Sequence, residues 1–225
     1  MPRVRLIGLP TDINSSFRRG PARAPAAIRA QLWSDHGNAA CEDGRELGGA
    51  IDLFDAGDLP LVEAPGDDAL IEAAVAQALE AGDAPLLLGG DHAVSFPVLK
   101  AIAAHHGPVD ILHFDAHPDT YDDFRGNPRS HASPFARIME AGLARRLVQV
   151  GIRTATPHQR TQAERFGIEM VPMRGFSPDM VPRLAGPVYV SLDLDGLDPA
   201  RRGTMLGAKP RIGTISMPKR SACAR

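Results

Sequence analysis

The sequence predicts an α/β fold of three layers, with a mainly parallel sheet between helices, and three observations predict it. Short apolar runs alternate with helical patterns along the chain. Several of those runs are continuously apolar, as strands buried on both faces require. The order strand–helix–strand recurs with no internal repeat and no linker, so crossovers join parallel neighbours. A chain of 225 residues, 44% of them hydrophobic, is long enough for one sizeable core.

The elements follow in order. A first strand is expected at Arg3–Leu9, where Val4, Leu6 and Ile7 begin the apolar pattern at once. A helix follows at Ala24–Trp33, and residues 34–50, polar and Gly-rich, read as a surface loop. After a strand at Ile51–Ala56 comes a helix at Asp68–Ala81. In it Ile71, Val75, Ala78 and Leu79 fall on one face at helical spacing. The next pairs are Ala84–Leu88 with Ser95–His106, Val109–Phe114 with Ser133–Arg145, and Leu147–Ile152 with Pro157–Phe166. A strand at Ile168–Pro172, a helix at Ser177–Leu184 and a strand at Pro187–Leu194 complete the pattern. In such sheets ligands bind beyond the carboxyl ends of the strands, so chemistry is sought there.

The net charge of −2 hides an asymmetry: residues 201–225 carry seven Lys/Arg and no Asp/Glu. The rest is acidic, which suits cation binding and argues against a nucleic-acid partner. The basic tail is diluted by Gly, Pro and Ser and makes a weak nucleic-acid arm. Cys41 and Cys223 are far apart and in no metal-ligand spacing, which fits a reducing compartment better than a disulfide framework. No apolar stretch approaches a membrane span, and the N-terminus shows no signal peptide, so a cytoplasmic protein without membrane partners is expected.

Three expected strands run into clusters of metal-binding residues. These are Gly89-Gly90-Asp91-His92, then Phe114-Asp115-Ala116-His117-Pro118-Asp119, and Ser191-Leu192-Asp193-Leu194-Asp195-Gly196-Leu197-Asp198-Pro199. Asp193 and Asp195 are two apart, so on an extended chain they face the same way, and Asp115, His117 and Asp119 share that spacing. A lone strand-end aspartate ordinarily caps a helix, and a lone histidine is ordinarily structural. Three clusters of hard-metal ligands on three strand ends favour a site. Mixed carboxylate and imidazole donors suit manganese, and bridging carboxylates can hold two ions. Asp91 and Asp198 read as turn or supporting residues.

With these motifs on the page, the chain resembles the arginase/agmatinase ureohydrolases from Val4 to about Pro199. The resemblance includes Asn14-Ser15-Ser16-Phe17, Arg19-Gly20-Pro21 and Gln149-Val150-Gly151-Ile152-Arg153. The stretch Gly126-Asn127 with Ser130 to Glu140 is most similar to plant-type arginases and their bacterial relatives. The resemblance implies two Mn²⁺ ions per subunit. His92 and Asp119 would hold one ion, His117 and Asp195 the other, and Asp115 and Asp193 would bridge them. His131 would shuttle a proton. The implied reaction releases urea and an amine from a small guanidino substrate, arginine or agmatine, in a homo-oligomer. Two rival readings are a non-catalytic remnant of such an enzyme and a single-zinc amide hydrolase of related fold.

The pattern breaks twice. Ala93 stands where the family usually has Ser. After Ala200 the family's Gly/Pro-rich segment, helix and final strand, with an acidic residue that holds the guanidinium, give way to Arg201–Arg225. The resemblance therefore divides the chain into a C-terminally truncated ureohydrolase domain, 1–200, and a basic tail, 201–225, as a frameshift would give. The family's last strand lies between the strands before His92 and before Asp193. If that slot is empty, each buried unpaired backbone group costs about 1–3 kcal/mol and the chain is weakly stable. Arg211–Met217 is the nearest substitute strand in the tail.

Overall fold

The computed structural model describes residues 3–40, 42–49 and 51–197, with the backbone of 214–219. Cys41, Cys223, Asp198 and most of the tail lie outside these. The strands are β1 (Val4–Leu9), β2 (Leu53–Asp58), β3 (Ala84–Gly89), β4 (Val109–Phe114), β5 (Ala144–Ile152), β6 (Glu169–Pro172), β7 (Val188–Asp193) and β8 (Thr214–Lys219). The helices are α1 (Ala24–Leu32), α2 (Asp67–Glu80), α3 (Ser95–His106), α4 (Pro134–Glu140) and α5 (Pro157–Phe166). One sheet takes the order β2-β1-β3-β8-β7-β4-β5-β6.

Two packed clusters cover the sheet. The larger joins Ile71, Val75 and Leu79 of α2, Val98, Leu99 and Ile102 of α3 and Phe135 and Ile138 of α4 to Ile7, Leu87, Ile111 and Leu147 of the strands. The smaller gathers Val148, Val150 and Val171 with Phe176, Val181 and Leu184. Successive residues of β5, Leu147 and Val148, thus belong to different layers, as strand alternation requires.

Three expectations are corrected. The helix expected over Ser133–Arg145 stops at Glu140, because Gly142 turns left-handed at φ 65° and Ala144 already begins β5. The helix expected over Ser177–Leu184 is only a short 3-10 turn, Pro178–Met180. Pro182 lacks the N–H that a longer helix needs and clashes with the preceding turn. The slot between β3 and β7 is filled rather than empty. In it β8 runs antiparallel to both neighbours, opposite Leu87 and Leu88 on one side and Val188 to Asp193 on the other. An interior gap offers two rows of unsatisfied N–H and C=O groups, and an extended segment in reach satisfies them. Pro218, which has no N–H to give, falls opposite Tyr189, beyond the stretch paired to β3.

The topology sets up the site. The parallel strands β3, β4 and β7 point their carboxyl ends to one edge, so the three sequence clusters open onto a common place.

Candidate metal centre

The turn after β3 is built by close approach. A Cβ on Gly90 would lie 1.8 Å from the Thr11 carbonyl oxygen, so only glycine fits. Asp91 then caps the next turn: its carboxylate accepts from the N–H of Ala93 at 3.0 Å and of Asn14 at 2.9 Å. This is the supporting role expected of it, and burial pushes its carboxyl up to about 6. The turn delivers His92 into the interior, edge-on to Phe135 at 5.2 Å between ring centroids.

His92 Nε2 lies 3.0 Å from Ser191 Oγ on β7. Its Nδ1 sits among three carboxylate oxygens: Asp119 at 2.9 Å, Asp115 at 3.3 Å and Asp193 at 3.7 Å. The nitrogen is buried and aligned as a hydrogen bond to none of them. A second group forms around His117, whose Nδ1 is 3.0 Å from Asp195 Oδ2 and 3.5 Å from Asp115 Oδ1. Asp115 therefore turns one oxygen to each group. The loop after β7 is held by its own aspartates: Asp195 N–H donates to Asp193 at 2.8 Å, and Ala116 N–H donates to Asp195 at 3.1 Å. Asp119 adopts a left-handed backbone at φ 49°, a conformation aspartate tolerates better than most residues.

All six residues singled out as ligands from sequence are thus gathered at one place. The donor set fits hard divalent ions. It has an orphaned buried imidazole nitrogen, converging carboxylates, and two separate three-donor groups, His92/His113/Asp115 and Asp115/His117/Asp195, that share one aspartate.

Charge crowding agrees. Burial and the neighbouring charges of Asp115 and Asp195 push the Asp193 carboxyl well up. Hydrogen bonds that His117 donates to the carboxylates of Asp115 and Asp195 lift it to about 10. Burial pulls His92 down, but the negative carboxylates of Asp115 and Asp119 beside its Nδ1 overcome it and raise it well above the usual range.

The site opens to a cavity of about 780 Å³, walled by His117, Asp119, Asp193 and Asp195 on one side. Arg18, Tyr121, Phe124, His131 and Thr154 complete its rim. His131 is anchored through Nδ1, 3.0 Å from the Asn14 carbonyl oxygen. A carbonyl only accepts, so Nδ1 carries the proton and Nε2 is left with a lone pair.

Sequence reasoning missed His113, hidden in a run read as apolar strand, and counted Ser191 in the third cluster without giving it a role. The period-two spacing of the ligands extends back to both: 113, 115, 117 and 191, 193, 195.

A model of the arginase family matches residues 2–204. The chain belongs to the arginase family. It is 49% identical over 211 residues to "Arginase 1, mitochondrial" of Arabidopsis thaliana, covering 87% of this chain and 62% of that protein. With the agmatinase of Bacillus cereus the identity is 33% over 208 residues, covering 88% and 69%. Among solved structures, arginase from Medicago truncatula superimposes with a TM-score of 0.81 at 44% identity, covering 88% of this chain and 67% of that one. Proclavaminate amidino hydrolase from Streptomyces clavuligerus gives 0.77 at 31%, covering 88% and 71%. The chain thus spans 62% of the length of the plant arginase it matches. These likenesses also bear out the α/β class. Among the described residues no helix is long and apolar enough to cross a membrane.

Proposed function

We propose that this chain is a manganese-dependent ureohydrolase that hydrolyses a guanidino group to urea and an amine. The observation that carries the reading is the convergence of two groups on Asp115, His92 with Asp119 and Asp193 at one oxygen and His117 with Asp195 at the other. His92 and Asp119 would hold one Mn²⁺, His117 and Asp195 the other, with Asp115 and Asp193 between them. Ions held by these residues would supply a water of lowered pKa as the nucleophile for the guanidinium carbon. The chain's own part is to hold and shield. The carboxylates of Asp119, Asp193 and Asp195 line the cavity beside His117 and would balance the charge of the two ions. His131 Nε2, lone pair outward, takes up the proton released by the attacking water and returns it to the leaving amine.

Arginine is the favoured substrate, because identity to the plant arginase exceeds identity to the agmatinase. A single-zinc reading fits less well, since one ion would leave one of the donor groups unused. The rival reading, a non-catalytic remnant, draws on the basic stretch beyond residue 204, where the match to the family model stops. We keep for the whole protein a cytoplasmic location and a homo-oligomer as proposals. The test is to express this chain, load it with Mn²⁺ and measure bound metal and urea from arginine and from agmatine. Two ions per chain and urea release support the proposal. Two ions without urea from either substrate select the remnant, and one tightly held zinc selects the third reading.

A further inference from the structure

His113 is fully buried on β4, two residues before Asp115 and on the same face. Its ring lies against Phe135 at 4.1 Å and edge-on to His92 at 5.0 Å. Its Nε2 is 2.8 Å from Asp115 Oδ2. On the other side its Nδ1 is 3.1 Å from the side-chain nitrogen of Gln149, the register partner of His113 on β5. That same amide nitrogen is 2.6 Å from the carbonyl oxygen of Pro118, within the metal-binding loop.

Chemistry fixes the direction of this chain of bonds. A backbone carbonyl only accepts, so the nitrogen of the Gln149 amide, and not its oxygen, must face Pro118. The second N–H of the amide is then directed at His113 Nδ1, which must accept. A neutral imidazole that accepts at Nδ1 carries its proton on Nε2 and donates it to Asp115 Oδ2. The other oxygen of Asp115 is pinned as well, accepting the His117 N–H at 2.7 Å. Held at both oxygens, the carboxylate cannot rotate out of the orientation in which Oδ2 faces His92 and Oδ1 faces His117.

We infer that Gln149 and His113 are positioning residues: Gln149 sets the tautomer of His113, and His113 locks the Asp115 carboxylate so that one oxygen serves each ion. The inference rests on the two-metal reading above. Supporting partners of this kind orient a ligand, and their loss weakens metal affinity by about 10–100-fold. Gln149 also ties the strand to the loop through Pro118, so the orientation of Asp115 and the course of the loop to Asp119 are set by one amide.

The test uses this chain and Mn²⁺. Histidine ¹⁵N NMR of the metal-free protein reads which nitrogen of His113 is protonated, and the proton is expected on Nε2. In Gln149→Leu that preference should be lost. His113→Phe keeps a ring against Phe135 but has no donor. Its second Mn²⁺ should bind about 10–100-fold more weakly, and the electron paramagnetic resonance signal should shift from a coupled ion pair toward isolated Mn²⁺. His113→Gln, which can place an N–H where Nε2 was, should restore part of the coupled signal. A proton on Nδ1, or a His113→Phe protein with unchanged affinity and coupling, overturns this inference alone. An unaltered chain that binds no Mn²⁺ overturns both it and the proposed function.

Discussion

The two donor groups that meet at Asp115 differ in their histidines: one is sealed from solvent and the other is open to it. The His92 side chain is 1% exposed and that of Asp119 10%, whereas the His117 side chain is 48% exposed. The difference comes from placement. His92 enters from the turn after β3, beneath α4, and is walled by Phe135 and His113. His117 sits on a loop beyond the end of β4 and faces the cavity. Like ligands therefore serve different ends: the sealed group is built to hold, and the open one to admit. His131 lines the same cavity as His117.

The sharpest way to break this comparison is to remove what both groups share. Asp115→Ala should abolish Mn²⁺ retention on both sides and urea release with it, as measured by metal content after dialysis and by a urea assay. One ion retained with normal affinity would show that the groups are independent. Next in size, His131→Ala should lower turnover by about 10²–10⁴-fold with metal content unchanged, since its anchor is the Asn14 carbonyl and it is not among the proposed ligands. Loss of metal in that variant would place His131 among the structural supports.

On the sealed side, Phe135→Ala should cost about 3–5 kcal/mol of stability, read by denaturant unfolding, because it removes the 0%-exposed wall of His92 and His113. Its Mn²⁺ should then reach a chelator faster from the sealed group, and unchanged exchange would mean that Phe135 is filler only. The smallest effect expected is one of pH on the metal-free chain. His92 is raised and His117 is pushed up to about 10, so their contribution is full below the ordinary histidine value of about 6.5. It is lost as the pH rises through about 10. The metal-free chain should melt higher at pH 6 than at pH 10. Mn²⁺, which needs these groups deprotonated, should reverse that trend. A flat melting profile without metal would mean that the two histidines titrate alike in the folded and unfolded states.

Much of this was legible in the residues. Buried strands such as Val109–Phe114 announce themselves by continuous apolar runs, and helix α3 matched its expected limits to the residue. The ligands were legible because a period of two aims alternate side chains one way. What escaped, the role of Ser191 included, has physical reasons. His113 and Ser191 sit inside strands, where a polar residue reads as an interruption until its partner on another strand is known. The early stop of α4 turned on Gly142, whose left-handed turn is a local event within a pattern that still looked helical. The filling of the slot by β8 depended on a non-local vacancy in hydrogen bonding, which no property of the tail itself reveals.

The position of β8 has a mechanical consequence. Among the described strands, it is the only link between β2-β1-β3 and β7-β4-β5-β6. His92 comes from the first set, and Asp115, His117, Asp119, Asp193 and Asp195 come from the second. An ion held by His92 and Asp119 would therefore be a rivet across a seam, resisting shear between two half-sheets as well as serving chemistry. Binding energy of this kind adds to folding energy, by about 2.7 kcal/mol when free metal is a hundredfold above its dissociation constant. Amide exchange should then slow most in β3 and β7 when Mn²⁺ is added, on the two banks of the seam, and least in β2 and β6 at its far margins.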